Sequence, residues 1–291
     1  MKSIHVACGQ IVCRPGDIRG NLQQISKLSA EASAVGAKLI LFGEGALTGY
    51  LLTKKALGKA PSVDSAPVRK LLQIAKEDGV VIVTGTLETS EEEKHVSAFI
   101  AYPNGRLLVQ RKHNLTPKEQ KAGIVLGPEE RTIFSINGVK FAVCICADSG
   151  IPDIWNKLAR QGCHVYLGPT AGGGGRRFMH HAEDLEKPRL RKKYLESMEK
   201  VCYMGPAIDN CVKHHMALLA TNLSGDDGFD NYHPGHSSII DSMGKTVGLI
   251  PGEYVVEFLR PQMIHGKIVV QKPKTAIPVV PSAPVSASAV Q

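Results

Sequence analysis

From residue 3 to about residue 86 the chain switches repeatedly between two hydrophobic periods, and this constrains its fold more than any other feature. "SIHVACGQI" reads as a strand, after which Leu22, Ile25, Leu28, Ala32 and Val35 recur at helical spacing until Gly36 stops the turn. "KLILF" is a second strand. "APVRKLLQIAKEDG" is a second amphipathic helix, with Val68, Leu71, Leu72 and Ala75 on one side and Gly79 closing it, and "VVIVTGT" is a third strand. Beyond this point "HVSAFIAY", "PNG" and "RLLVQ" read as a hairpin, and "RTIFSI", "NG" and "VKFAVCI" as another. Alternating units followed by hairpins predict an α/β protein with mixed sheets. Further on, "IPDIWNKLARQG" reads as a helix with Pro152 in its first turn, "HVYLG" as a strand, and 178–212 as a long polar helical region. The strand-like runs "HMALLATN", "HSSIID", "TVGLI" and "EYVVEFL" in the last third predict a second sheet.

With 291 residues, 43% of them hydrophobic, residues 1–272 can bury a large core, whereas the Pro/Ala/Ser/Val-rich tail 273–291 has no period and is expected to be disordered or packed on a partner subunit. The formal net charge of +8 favours anionic partners in general. Its most basic stretch, "EKPRLRKKYLESMEK", interleaves acidic residues, which reads as a solvated helix face and not as a nucleic-acid patch. Seven irregularly spaced cysteines and no signal peptide before the first apolar run predict reduced thiols in a cytoplasmic protein. No apolar stretch approaches the ~18 residues that cross a bilayer, so no membrane partner is expected.

Three strand-like runs finish on reactive side chains: "AKLILFGE" on Glu44, "RLLVQRK" on Lys112 and "VKFAVCIC" on Cys146. A thiol at the exit of a buried strand faces the crevice where open α/β sheets place ligands. Such a nucleophile needs a base for its proton and a cation or N–H donor for the oxyanion formed on attack. A nearby ammonium is expected to favour the thiolate, while a carboxylate can receive the proton. Cys144 competes with Cys146; residues two apart on a strand face the same side, so direction does not separate them, and position at the strand exit selects Cys146. Cys8, Cys13, Cys163, Cys202 and Cys211 read as structural thiols.

On these residues the chain resembles the nitrilase, or carbon–nitrogen hydrolase, superfamily from about residue 3 to 260. "GAKLILFGEGALTGY", "QRKHNLTP" and "VCICADSGIPD" resemble its glutamate, lysine and cysteine segments, and "AIDNCVKHHMALLATN" and "GHSSIIDSMGK" resemble later ones. The resemblance implies a four-layer αββα sandwich that assembles into homodimers or higher homo-oligomers, and a Glu–Lys–Cys constellation without cofactor or metal. It assigns Glu44 as general base, Lys112 as oxyanion stabiliser, Cys146 as nucleophile, and Glu119 in "TPKEQKAG" as a second glutamate that positions substrate or catalytic groups. The implied activity is hydrolysis of a non-peptide C–N bond in a small amide or N-carbamoyl compound, through a thioester and with release of ammonia. The alternatives are a catalytically silent ligand-binding or scaffold protein on the same fold, and a nitrilase proper.

Around the nucleophile, the Ala147 backbone N–H is the second expected oxyanion donor, and Asp148 is expected to fix the turn through backbone N–H groups. "TAGGGGRR" lacks the Lys-Ser/Thr ending of a phosphate loop. Arg176 or Arg177 within it is a candidate clamp for a substrate carboxylate, with a mobile surface loop as the competing reading. The pairs His180-His181 and His214-His215 raise a metallohydrolase alternative, but there is no HExxH or CxxC, and adjacent helical residues rarely share one metal.

Overall fold

The structure is a computed structural model that describes residues 2–173, 187–190, 192, 204–229, 231–252 and 260–275. Arg176, Arg177, His180, His181, Cys202, the run "EYVVEFL", most of the basic stretch 186–200 and the tail from residue 276 lie outside the described residues.

The first sheet has the order β13-β1-β2-β3-β4-β5, where β1 is Lys2–Gln10, β2 Leu39–Phe42, β3 Val81–Ser90, β4 Glu93–Ala101, β5 Leu107–Arg111 and β13 Gln262–Val270. β1, β2 and β3 are parallel neighbours, which forces each connection to cross the sheet through a helix. Those helices are α1 (Ile18–Ala34) and α3 (Ala66–Asp78). Their apolar stripes, Leu22, Ile25, Leu28 and Ala32 on one and Val68, Leu71, Ile74 and Ala75 on the other, pack against Ile40, Phe42, Ile82 and Phe99 of the sheet. Asp17 caps α1 by accepting from the Gly20 N–H, and Gly79 ends α3 in the left-handed conformation at φ 64°. Val35, counted in the helical stripe from sequence, is instead the partly exposed C-cap.

The second sheet has the order β10-β11-β9-β8-β7-β6, with β12 also paired to β11. Its strands are β6 Ile133–Ile136, β7 Val139–Val143, β8 Val165–Pro169, β9 Ala217–Thr221, β10 Ser224–Asp226, β11 Tyr232–Ile240 and β12 Thr246–Gly252. β7, β8 and β9 are parallel, and α5 (Ile154–Arg160) and α6 (Met204–His214) supply the outer layer. Ile154, Trp155, Leu158 and Cys211 pack there against Ala142, Cys144, Tyr166 and Leu218. Between the two sheets lies the main apolar core, where Val6, Leu41, Val83 and Ile100 meet Phe141, Val143, Leu167, Leu219 and Ile239. The order of layers is therefore helix, sheet, sheet, helix, the αββα sandwich.

Two expectations need correction. The second sheet is not confined to the last third, because the hairpin β6–β7 and β8 already belong to it, whereas the final described strand, β13, returns to the first sheet and pairs antiparallel with β1. Pro152 precedes the helix instead of entering it: α5 begins at Ile154 after Asp153, and a 3₁₀ turn, Cys146–Gly150, fills the gap behind the strand. The residue before a proline is pushed toward extended backbone, and Ile151, at φ −61° and ψ 127°, obeys this. Two short helices, α2 (Lys54–Leu57) and α4 (Pro117–Lys121), follow the glutamate and lysine segments. No helix among the described residues is long and apolar enough to cross a membrane.

Candidate active site

Glu44 sits two residues beyond β2, whose four residues are all buried. Its N–H donates to the Thr170 carbonyl (3.0 Å), and the Ala171 N–H donates to Glu44 Oε2 (3.0 Å). The turn that begins after β2 is thereby tied to the exit of β8 in the other sheet. Lys112 follows β5 directly; its N–H donates to the Val96 carbonyl (2.8 Å) and its own carbonyl accepts from the Gly127 N–H (2.7 Å), so the backbone is held on both sides. Glu119 lies on α4, where Thr116 as N-cap and Glu119 as third helical residue form a reciprocal capping box.

These three side chains meet in the interior. The Lys112 ammonium donates to Glu44 Oε1 (2.8 Å) and Glu119 Oε1 (2.7 Å), all three groups being almost wholly buried. Tyr50 OH also donates to Glu119 Oε1 (2.7 Å), and the Thr116 N–H and Oγ1 donate to its Oε2 (2.6 and 2.9 Å). Tyr50 escaped the sequence reading. The only signal for it was a lone aromatic hydroxyl six residues beyond Glu44, in the segment "GALTGY".

Cys146 has φ +47°, a left-handed value that a non-glycine residue adopts only when its surroundings enforce it. The consequence is directional. Along β7 and beyond it, Val139, Phe141, Val143 and Ile145 face the core between the sheets, and Ala142 and Cys144 face the outer helices. Strand alternation would send Cys146 outward with Cys144, but the positive φ turns it back against the inter-sheet core. Direction therefore does separate the two thiols, contrary to the strand argument. Cys144 is fully buried, and Cys146 is only partly so. Ala147, next in the 3₁₀ turn, is half-buried with its carbonyl accepting from Asn114 Nδ2 (2.7 Å); its N–H lies in the first turn, where such donors have no intrahelical acceptor.

Asp148 ties this turn to the lysine segment. Its Oδ1 accepts from the His113 and Asn114 N–H groups (2.9 and 2.8 Å), and its Oδ2 from the Ile145 N–H (3.0 Å) and Arg131 Nη1 (2.8 Å). Arg131 is itself buried, a partner that no sequence pattern marked.

Electrostatics divide the two glutamates. Burial opposes the charge of each, but Glu119 has Lys112, Thr116 and Tyr50 as donors, and its carboxyl is held below the usual range. Glu44 has fewer donors; burial, with Glu119 adding to it, outweighs Lys112 and raises its carboxyl. Burial alone would lower Lys112, yet Glu44, Cys146 and Glu119 together hold its ammonium above the usual lysine range. Burial pushes the Cys146 thiol up, and the carboxylate and hydrogen bond of Glu44 add to this against the opposing Lys112. Burial and two carboxylates against one ammonium thus favour the protonated thiol, where the sequence reading expected a thiolate.

A cavity of about 500 Å³ adjoins the cluster. Tyr50 and Ala171, each one hydrogen bond from a glutamate, form part of its wall, together with Lys118, Lys121, Asn231 and His233. His214 stacks on Trp155, with its Nδ1 donating to the Lys274 carbonyl (3.0 Å). Cys8, Cys13, Cys163 and Cys211 are buried free thiols.

An αββα sandwich that presses a left-handed cysteine turn against a buried Glu–Lys–Glu cluster defines a narrow class of protein. The family model described as carbon-nitrogen hydrolase matches residues 5–253, and the chain belongs to that family. A hydrolase from Pseudomonas protegens is 29% identical over 174 residues, covering 59% of this chain and 60% of that protein. A nitrilase from Pyrococcus abyssi is 30% identical over 155 residues, covering 52% and 58%. The chain thus spans less than two thirds of the length of these curated relatives. Among solved structures it is similar to a glutamate variant of the amidase from Nesterenkonia sp. AN1 that shows covalent addition of the acetamide moiety of fluoroacetamide at the active-site cysteine. That likeness has a TM-score of 0.69 at 22% identity and covers 91% of this chain and 90% of the other.

Proposed function

We propose that the protein hydrolyses a non-peptide C–N bond of a small amide or N-carbamoyl compound, using Cys146 as nucleophile and releasing ammonia. The observation that carries this reading is the Lys112 ammonium held between Glu44 and Glu119, with the Cys146 thiol close enough to feel all three charges. Glu44, its carboxyl raised by burial, takes the thiol proton as Sγ attacks the carbonyl carbon. The electron pair of the C=O bond moves to oxygen, where the Lys112 ammonium and the Ala147 N–H receive it. Each such donor is worth roughly 3 kcal/mol in acyl-transfer enzymes. Collapse of the adduct breaks the C–N bond, Glu44 returns its proton to the leaving nitrogen, and ammonia departs from a Cys146 thioester. Water then attacks the thioester with Glu44 as base, and the acid and the free thiol result. Every proton and charge has a partner among these side chains, so the sequence of steps calls for no metal or cofactor. Glu119, kept ionised by its donors, is the positioning residue that holds Lys112 in place. Covalent addition of the acetamide moiety of fluoroacetamide at the active-site cysteine of the Nesterenkonia amidase, seen in a glutamate variant, supports a nucleophilic role for Cys146.

Bond preference follows from Ala147. An amide is trigonal and bulkier than a linear nitrile, and a small residue beside the thiol leaves room for the second heteroatom. With matched acyl groups, kcat/KM for the amide is expected to exceed that for the nitrile at least ~100-fold, or about 2.7 kcal/mol of discrimination. Ammonia release from primary amides, ureido acids and matched nitriles measures this, with Cys146→Ala silent and Cys144→Ala active. Equal loss from both cysteine variants in folded protein would remove the nucleophile assignment, and comparable nitrile rates would remove the bond preference.

A further inference from the structure

We infer that Lys118 and Lys121 form a carboxylate-reading subsite, so that the preferred substrate is a small amide bearing a carboxylate at the end remote from the scissile bond. This rests on the amide-hydrolase reading above and specifies its substrate class. Both lysines lie on α4, the same single turn that carries Glu119. Spaced three apart, they share a helical face, and both line the cavity while Glu119 is buried against Lys112. One short helix therefore presents a carboxylate to the reacting centre and two ammonium groups to the space beside it.

The charge pattern of that space points to an anion. Like charges three apart on a helix repel, and among the described residues neither of these exposed lysines takes part in an ion pair. No carboxylate is found among the described residues that line the cavity. On the same wall, His233 lies against the Gly172 carbonyl through Nδ1 (3.3 Å), which makes that nitrogen a donor, and burial lowers its pKa, so the ring is neutral. The Asn231 amide is engaged with Asp227 Oδ2 (3.0 Å). Positive charge in the described wall comes from the two lysines alone. The cavity adjoins the reacting centre at Tyr50 and Ala171, which hydrogen-bond Glu119 and Glu44, and about 500 Å³ accommodates a short acyl chain with its terminal carboxylate. A net charge of +8 draws anions toward the protein in addition.

The test compares succinamate with its uncharged isostere 4-oxopentanamide on the full-length protein, by ammonia release at low and high salt. For the wild type, kcat/KM for succinamate is expected to exceed that for the isostere roughly tenfold or more at low salt, through KM, with the margin shrinking as salt rises. In K118Q/K121Q the ratio of the two is expected to fall toward unity, and in K118R/K121R to recover. A wild-type ratio near unity, or one unmoved in K118Q/K121Q protein that folds normally, would overturn the subsite. Absence of turnover with both amides would count against the hydrolase reading instead. Calorimetric binding of the two compounds to Cys146→Ala protein then reads the subsite without chemistry: tighter succinamate binding that K118Q/K121Q abolishes supports it, and equal affinities overturn it.

Discussion

Glu44 and Glu119 compete for one ammonium, and the outcome is decided by how many other donors each has. Glu119 collects three beyond Lys112, two of them from Thr116, so it keeps its charge, whereas Glu44 becomes the carboxylate most ready to take a proton. Glu44→Gln is therefore expected to lower turnover at least ~100-fold. It also removes a negative neighbour that raises the Cys146 thiol, so alkylation by iodoacetamide should begin at lower pH than in the wild type. Lys112→Met removes the one opposing cation and should move the alkylation profile to higher pH while also lowering turnover by at least ~100-fold. Profiles of labelling rate against pH for the three proteins decide the matter, and superimposable curves would show that the thiol does not feel these charges. Asp148→Asn at the neighbouring turn leaves Arg131 as a buried charge without its counterion. Its expected cost is about 3 kcal/mol, read as a drop in the urea midpoint.

At the scale of elements, the site depends on backbone surfaces that touch without side chains between them. A Cβ on Gly85 of β3 would lie 2.5 Å from Glu44 Cα and 2.5 Å from the Gly43 carbonyl oxygen, and the Gly85 N–H donates to that same carbonyl (3.1 Å). Gly85→Ala must therefore push the Glu44 turn away from β3. The expected result is a loss of about 1–3 kcal/mol together with a fall in kcat; unchanged kcat in a folded variant would mean that the turn can move without consequence. β13 makes a second case. It lies beyond the family match, yet it pairs with β1 from Lys2↔Val270 to Gln10↔Gln262 and buries Ile268 and Val270 in the inter-sheet core. Deleting residues 261–291 is expected to give insoluble protein, because β1 becomes a bare hydrophobic edge. Deleting 276–291 should leave Tm within ~2 °C, and a larger fall would show that the tail carries part of the packing.

For the molecule as a whole, strand exits of both packed sheets converge on the site: Glu44 and Lys112 come from the first sheet, Cys146 from the second, and the Glu44 turn is bonded to the exit of β8. Neither sheet holds the constellation alone. We propose that the outer face of α6 joins two copies of the chain. Val212 there is exposed and packs on Gly244, beside the exposed Met243. Light scattering at micromolar concentration is expected to show a dimer or larger species, and Val212→Asp with Met243→Asp to shift it toward monomer. A monomeric wild type would end the assembly proposal and leave the chemistry untouched.

Local sequence determined much of this protein. Helical and strand periods fall where α1, α3 and most strands lie, since amphipathic stripes and turn glycines act over a few residues. The positions of Glu44, Lys112 and Cys146 at strand exits were legible for the same reason. Which sheet each hairpin joins was not, because β4–β5 and β6–β7 carry the same local pattern and only packing across the core separates them. Tyr50 and Arg131 were equally hidden: their partners lie 69 and 17 residues away, and nothing adjacent in the chain marks them. The state of the thiol shows the division most sharply. An ammonium within reach argues for a thiolate when counted alone, but the balance depends on burial and on both carboxylates at once, and only the folded interior brings those together.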